Sequence, residues 1–275
     1  MKKILLLVAS VLFTFTLTAC QSKDDKTIKI GVSYYPFYSA DSTKPDLLDI
    51  IKAEVEENGF NLEKVVFLNY AEANPALANE ELDGNLIQHE LYMDIFNQRS
   101  GSSLELVQPI YHATFALYSS IYKSVEDIAD GETVYLPNDG VNTARALLLL
   151  QGAGLIELES GVNFKASVAN IISNPKQLKF VETPLTATAG AYDESGRHLA
   201  VMYPTFARSL SLSGNAERIY LEQRNAVSDA YAISFVTRAN NASDEKTKVL
   251  TKALTSDAVK KYLEENYAWA SMPAF

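Results

Sequence analysis

The sequence predicts an α/β protein of two lobes, and three observations carry that prediction. Short β-branched runs alternate with helical periods along the body, the 275 residues exceed one ordinary domain of about 150, and no stretch rich in Gly, Ser or Pro divides them. Alternation of this kind builds largely parallel sheets covered by helices. A two-lobed chain without a linker is expected to cross between its lobes more than once.

The body opens at Thr27–Tyr35, where Ile28, Ile30 and Val32 recur at period two until Pro36 ends the run. Lys44–Asn58 reads as a helix, with Pro45 in its first turn, Leu47, Leu48, Ile51 and Val55 on one stripe, and Gly59 as its stop. A strand at Leu62–Tyr70 and a helix at Glu90–Gln98 precede strands at Leu104–Ile110, Phe115–Ser119 and Thr133–Leu136. Helices are expected at Asn142–Gln151 and Ser167–Ile172, and strands at Leu178–Glu182 and Leu199–Tyr203. Thr205–Leu210 reads as a helix, Ile219–Glu222 and Tyr231–Arg238 as strands, and helices at Ser243–Thr255 and Ser256–Asn266 close the chain.

Charge and composition exclude whole classes of function. With 47% hydrophobic and 21% charged residues the chain is neither disordered nor fibrous. A net charge of −10, with no run of Lys and Arg after Lys3, argues against a nucleic-acid partner.

The first twenty residues place the protein. Lys2 and Lys3 head an apolar stretch, Ile4 to Thr18, which is short for a membrane span and reads as a secretory signal. The single cysteine follows it in Leu17-Thr18-Ala19-Cys20, which resembles the lipobox of bacterial lipoproteins. That resemblance implies removal of residues 1–19, a lipidated tether over 20–27, and a palmitate-type acyl anchor on Cys20 holding the protein on the extracytoplasmic face of the cell membrane. The remaining 256 residues carry 22 basic against 34 acidic side chains, a net charge of −12, so the membrane affinity must come from the acyl chains.

A search for catalytic motifs finds little. His89-Glu90-Leu91-Tyr92-Met93 begins like a zinc-protease helix but has Met93 where the second histidine is needed. A metal site would require His89, His112 and His198 to converge. There is no G-x-S-x-G elbow and no phosphate loop, and Gly152-Ala153-Gly154 follows a helix rather than a strand. No cofactor is expected. Trp269 is read as packing.

The run Leu136-Pro137-Asn138-Asp139-Gly140-Val141-Asn142-Thr143-Ala144-Arg145 joins a strand end, a turn and an apolar helix with an arginine near its start. Backbone N–H groups and a guanidinium fork there suit a carboxylate. The same spacing is also met by Asn142 as a simple helix cap and Arg145 as a surface charge.

This run is similar to a segment of the methionine-binding lipoproteins of ABC importers, the NlpA lipoprotein family. Phe67-Leu68-Asn69-Tyr70, Asn74-Pro75-Ala76-Leu77, Leu82 through Tyr92, Ile171 through Glu182, Ser256 through Tyr262 and the final Pro273-Ala274-Phe275 agree with it in order. The resemblance implies a type II periplasmic-binding-protein-like fold with mixed sheets, lobe 1 over 28–113 plus 228–275, lobe 2 over 114–227, and the ligand in the cleft between them. It further implies that Asn142 and Arg145 hold the ligand's α-carboxylate, that His89 and Tyr92 face it from the other lobe, and that Tyr70 lines the cleft.

Departures cluster at the rest of the pocket. Leu86 and Ile87 stand where the family has an aromatic, Tyr203-Pro204-Thr205 and Ile233 stand where it has asparagines, and Phe37 replaces a histidine. The function implied is a non-enzymatic binding protein that captures methionine or a related amino acid or small carboxylate and delivers it to a permease and its ATPase. An envelope hydrolase and a metal-binding importer component are the alternatives.

Overall fold

The computed structural model describes residues 26–41, 43–267 and 271–275. The expectations for the signal, Cys20 and Trp269 lie outside these residues. In chain order the strands are β1 (Thr27–Val32), β2 (Asn61–Val66), β3 (Gly84–Gln88), β4 (Leu104–Ala113), β5 (Ala116–Tyr118), β6 (Thr133–Pro137), β7 (Glu157–Leu158), β8 (Ile171–Ser173), β9 (Lys179–Thr183), β10 (Leu199–Met202), β11 (Arg218–Leu221), β12 (Ala232–Arg238) and β13 (Ser271–Pro273). The helices are α1 (Leu47–Glu57), α2 (Ala73–Ala78), α3 (Glu90–Ser100), α4 (Gly140–Gly152), α5 (Thr188–Glu194), α6 (Pro204–Ala207), α7 (Ala226–Asp229), α8 (Glu245–Leu254) and α9 (Asp257–Asn266).

Among the described residues two large sheets form, in the orders β13-β4-β12-β3-β1-β2 and β11-β5-β10-β6-β9, and β7 pairs with β8 in a separate two-stranded sheet. The two large sheets are mixed rather than largely parallel. β1 runs parallel to β2 and β3, and β6 to β9 and β10, as the helical crossovers dictate. β12 pairs antiparallel with β3 and β4, and β5 antiparallel with β10 and β11. The chain leaves the first sheet after Ala113 and rejoins it at Ala232, and the intervening β5, β6, β9, β10 and β11 form the second.

Local chemistry explains most boundaries. α1 starts behind Asp46, which accepts from the Asp49 N–H while Asp49 accepts from the Asp46 N–H, a reciprocal cap. The strand expected to reach Tyr70 ends at Val66, because Asn69 caps the Ala71 N–H and turns Tyr70–Glu72 into a 3₁₀ turn. The helix expected at Ser167–Ile172 is only one 3₁₀ turn, Val168–Asn170. There Asn170 folds back on the Ser167 N–H, and β-branched Ile171 and Ile172 continue as β8.

β3 is buried at all five positions, including its polar residues. Asn74 on α2 resolves that cost by donating to Gln88 at 2.7 Å and accepting from Asn85 at 2.9 Å. This network fixes the strand end that leads directly into His89 and α3. One apolar core extends across both sheets, and a smaller one of Ala76, Leu77, Leu82, Met93, Leu104 and Val236 lies beneath α2.

Candidate functional site

A cavity lies between the two larger sheets and takes walls from both. The first sheet and its connections give Tyr34, Phe37, Tyr70, Leu86, Ile87, His89, Tyr92, Tyr111 and Ile233; the second gives Asn142, Leu185, Tyr203, Thr205 and Phe206. The surface is chiefly aromatic and aliphatic. Tyr34 and Phe206 meet edge to face across it with centroids 5.3 Å apart, and Tyr70 and Tyr92 pack side by side on one wall at 5.5 Å. The cavity lining contains no lysine or arginine.

Four of the expected site residues meet here. His89 caps α3, its Nδ1 accepting from the Tyr92 N–H at 3.3 Å, which also aims Tyr92 from the first helical turn into the cleft. Burial and the nearby Arg145 charge push the His89 ring down to about 3, against a hydrogen bond with Asn142, so it is neutral at pH 7. Tyr70 reaches across to the second lobe, its hydroxyl 3.4 Å from Asp139 Oδ2. Burial and the Asp139 charge push the Tyr92 phenol up to about 12, so it keeps its proton.

Asn142 is not the helix cap. Asp139 is: its Oδ1 accepts from the Asn142 N–H at 3.0 Å, and both its oxygens accept from the Asn142 amide nitrogen at 3.0 Å. A protein carboxylate thereby fills the anion-favouring start of α4. The Asn142 amide is turned so that its oxygen accepts from the Tyr203 hydroxyl at 3.0 Å.

Arg145 is not a surface charge, being only 2% exposed. Neither does it line the cavity; it borders a separate small cleft with His112, Glu222 and Arg224. Its Nε donates to Glu222 Oε1 at 2.8 Å, its Nη2 to Glu222 Oε2 at 2.5 Å and to the Ala113 carbonyl at 2.6 Å, and its Nη1 to the Tyr203 hydroxyl at 3.0 Å. The rings of Phe115, Tyr203 and Tyr231 surround it at 4.4–5.2 Å. Burial alone would disfavour the charge, but the Glu222 carboxylate more than offsets it and the guanidinium is held charged.

Of the altered positions, Leu86, Ile87 and Ile233 face the cavity, while Pro204 is buried at the start of α6 and its neighbours Tyr203 and Thr205 do the lining. Sequence reasoning missed Tyr34, whose buried hydroxyl has no hydrogen-bond partner among the described residues, and the pairing role of Glu222. The three histidines do not converge. His112 lies beside Arg224 and His198 beside Glu132, and no group of three metal-ligating side chains occurs among the described residues.

Comparison with known proteins agrees with this architecture. A family model described as NlpA lipoprotein matches residues 28–275. The chain belongs to the NlpA lipoprotein family. Among this family's members, the D-methionine-binding lipoprotein MetQ of Escherichia coli K12 is 32% identical over 254 residues, 92% of this chain and 90% of that one. The lipoprotein Tp32 of Treponema pallidum has a solved structure 30% identical, with a TM-score of 0.82 over 91% of this chain and all of that one. A nutrient binding protein of Burkholderia cenocepacia, solved bound to methionine, is 28% identical with a TM-score of 0.80 over 90% of this chain. The NlpA fold seen here is accordingly the two-lobed α/β fold of substrate-binding lipoproteins. No described helix is long and apolar enough to cross a membrane.

Proposed function

We propose that this chain is the substrate-binding component of an ABC importer, closing two lobes over a small solute and presenting it to a permease and its ATPase. The observation that carries the reading is the aromatic cavity whose walls come from both sheets, since such a site opens and closes when the sheets rotate about the two crossings near 114–115 and 222–231. The lobes are read as 28–113 plus 228–275, and 114–227. No chemistry on the solute is required, and the NlpA relatives are named for binding rather than turnover.

The solute belongs to the size class of methionine, which the Burkholderia cenocepacia relative holds. His89, Tyr92, Tyr70 and Asn142 are read as its contacts. Cys20 is read as the lipidation site on the extracytoplasmic face. Uptake of the labelled solute in a strain lacking this gene tests the reading: full-length protein restores it, and Cys20→Ala releases the protein from the membrane fraction. Undiminished uptake in the deletion strain would remove the transport role.

A further inference from the structure

Arg145 stands behind the cavity wall, bonded to the lining residues Tyr203 and Ala113 and sealed from the space itself. Four of its five N–H groups are committed to Glu222, Ala113 and Tyr203. Glu222 approaches from the far side and also accepts from the Phe115 N–H at 3.1 Å. Of these partners Tyr203 and Ala113 stand on the cavity side, and the Tyr203 hydroxyl does two jobs, accepting from Arg145 Nη1 at 3.0 Å and donating to Asn142 Oδ1 at 3.0 Å. That oxygen bridges Arg145 and Asn142, the two side chains that the family resemblance gives to a ligand carboxylate.

The rest of this wall supplies no positive charge to an anion. The Asn142 amide nitrogen is spent on Asp139, so an acceptor faces Tyr203. His89 Nδ1 is engaged by the Tyr92 N–H, and its ring is uncharged. With the Arg145 and Glu222 charges cancelling, the nearest uncompensated charge is the Asp139 carboxylate behind Tyr70 and Asn142. The unpartnered Tyr34 hydroxyl remains for a neutral polar group on the ligand.

We propose that Tyr203 sets the ligand class of the cleft: its ring and hydroxyl stand in place of a ligand carboxylate on Arg145 and Asn142, so the site takes a largely apolar solute bearing no free carboxylate. This rests on the importer reading and deepens it. Substitution at Tyr203 leaves the Arg145–Glu222 pair intact and opens a path to Nη1.

Titration calorimetry with L-methionine and L-methioninamide, which share every group except the charged carboxylate, tests it on the wild type and Tyr203→Ala. In the wild type methioninamide binds at least tenfold more tightly than methionine, and in Tyr203→Ala methionine gains at least tenfold. Tyr203→Ser gives the same gain if the alanine variant proves unstable. Tighter binding of methionine than of its amide by the wild type would overturn the proposal and leave the importer reading standing. So would failure of both Tyr203 variants, folded by circular dichroism, to gain affinity for methionine. The importer reading is decided separately, by the uptake assay.

Discussion

Replacing Arg145 with Met tests whether the charge buried between the lobes is structural. The substitution removes four hydrogen bonds and leaves the Glu222 carboxylate, whose side chain is only 12% exposed, without its cation. Breaking a buried ion pair from one side costs about 3–5 kcal/mol, because the remaining charge stays desolvated. At about 2–4 °C per kcal/mol for a chain of this size, the thermal midpoint falls by about 6–20 °C. The double variant Arg145→Met/Glu222→Leu removes both charges, and it is expected within about 1 kcal/mol of the wild type. Thermal unfolding by circular dichroism at pH 7 reads both. A single variant that melts within 2 °C of the wild type, or a double variant no better than the single, would mean that Glu222 does not depend on Arg145 for its charge.

Three further outcomes follow from the same geometry. His89 is held near 3 in the fold against about 6.5 unfolded, so the unfolded state binds the extra proton in between and stability falls as pH drops from about 6.5 towards 3. The slope is about 1.4 kcal/mol per pH unit between pH 6 and 4 in urea titrations, and His89→Gln should flatten it. Asn74→Leu strands the buried Asn85 and Gln88 amides and is expected to cost about 2–4 kcal/mol by denaturant unfolding. Tyr92→Ala, which deletes a ring from the cavity wall, should weaken the native solute at least tenfold by calorimetry while leaving the melting point of the free protein within a few degrees.

Much of the fold was legible because its signals are local. Period-two runs at Ile28–Val32 and the apolar stripe of α1 need no tertiary information. β3 was not legible as a strand: Gly84, Asn85 and Gln88 break the apolar pattern, and they are tolerated only because Asn74, eleven and fourteen residues away from the two amides, satisfies them. The 3₁₀ turn at Val168–Asn170 was misread as a helix because the side-chain bond from Asn170 to the backbone of Ser167 competes with helix continuation.

At the site, the four residues His89, Tyr92, Tyr70 and Asn142 that family likeness singles out line one cavity. It did not foresee what occupies Arg145. The partner, Glu222, lies 77 residues away on the other side of the second sheet's order, and the cover, Tyr203, was legible as the end of a strand and as a departure from the family, not as a partner of the arginine. Spacing around a single helix start reports which groups are near one another, whereas the bonding of a buried guanidinium is settled by strands brought in from elsewhere.

On the importer reading, the cavity between the sheets holds a small solute. Native protein, purified without added ligand, should release on denaturation one small molecule in near-stoichiometric amount, identified by mass spectrometry. Returning that molecule to refolded protein at 100 times its dissociation constant should raise stability by about 2.7 kcal/mol. Native protein that carries no small molecule, and that no amino-acid-sized solute stabilises, would contradict the account.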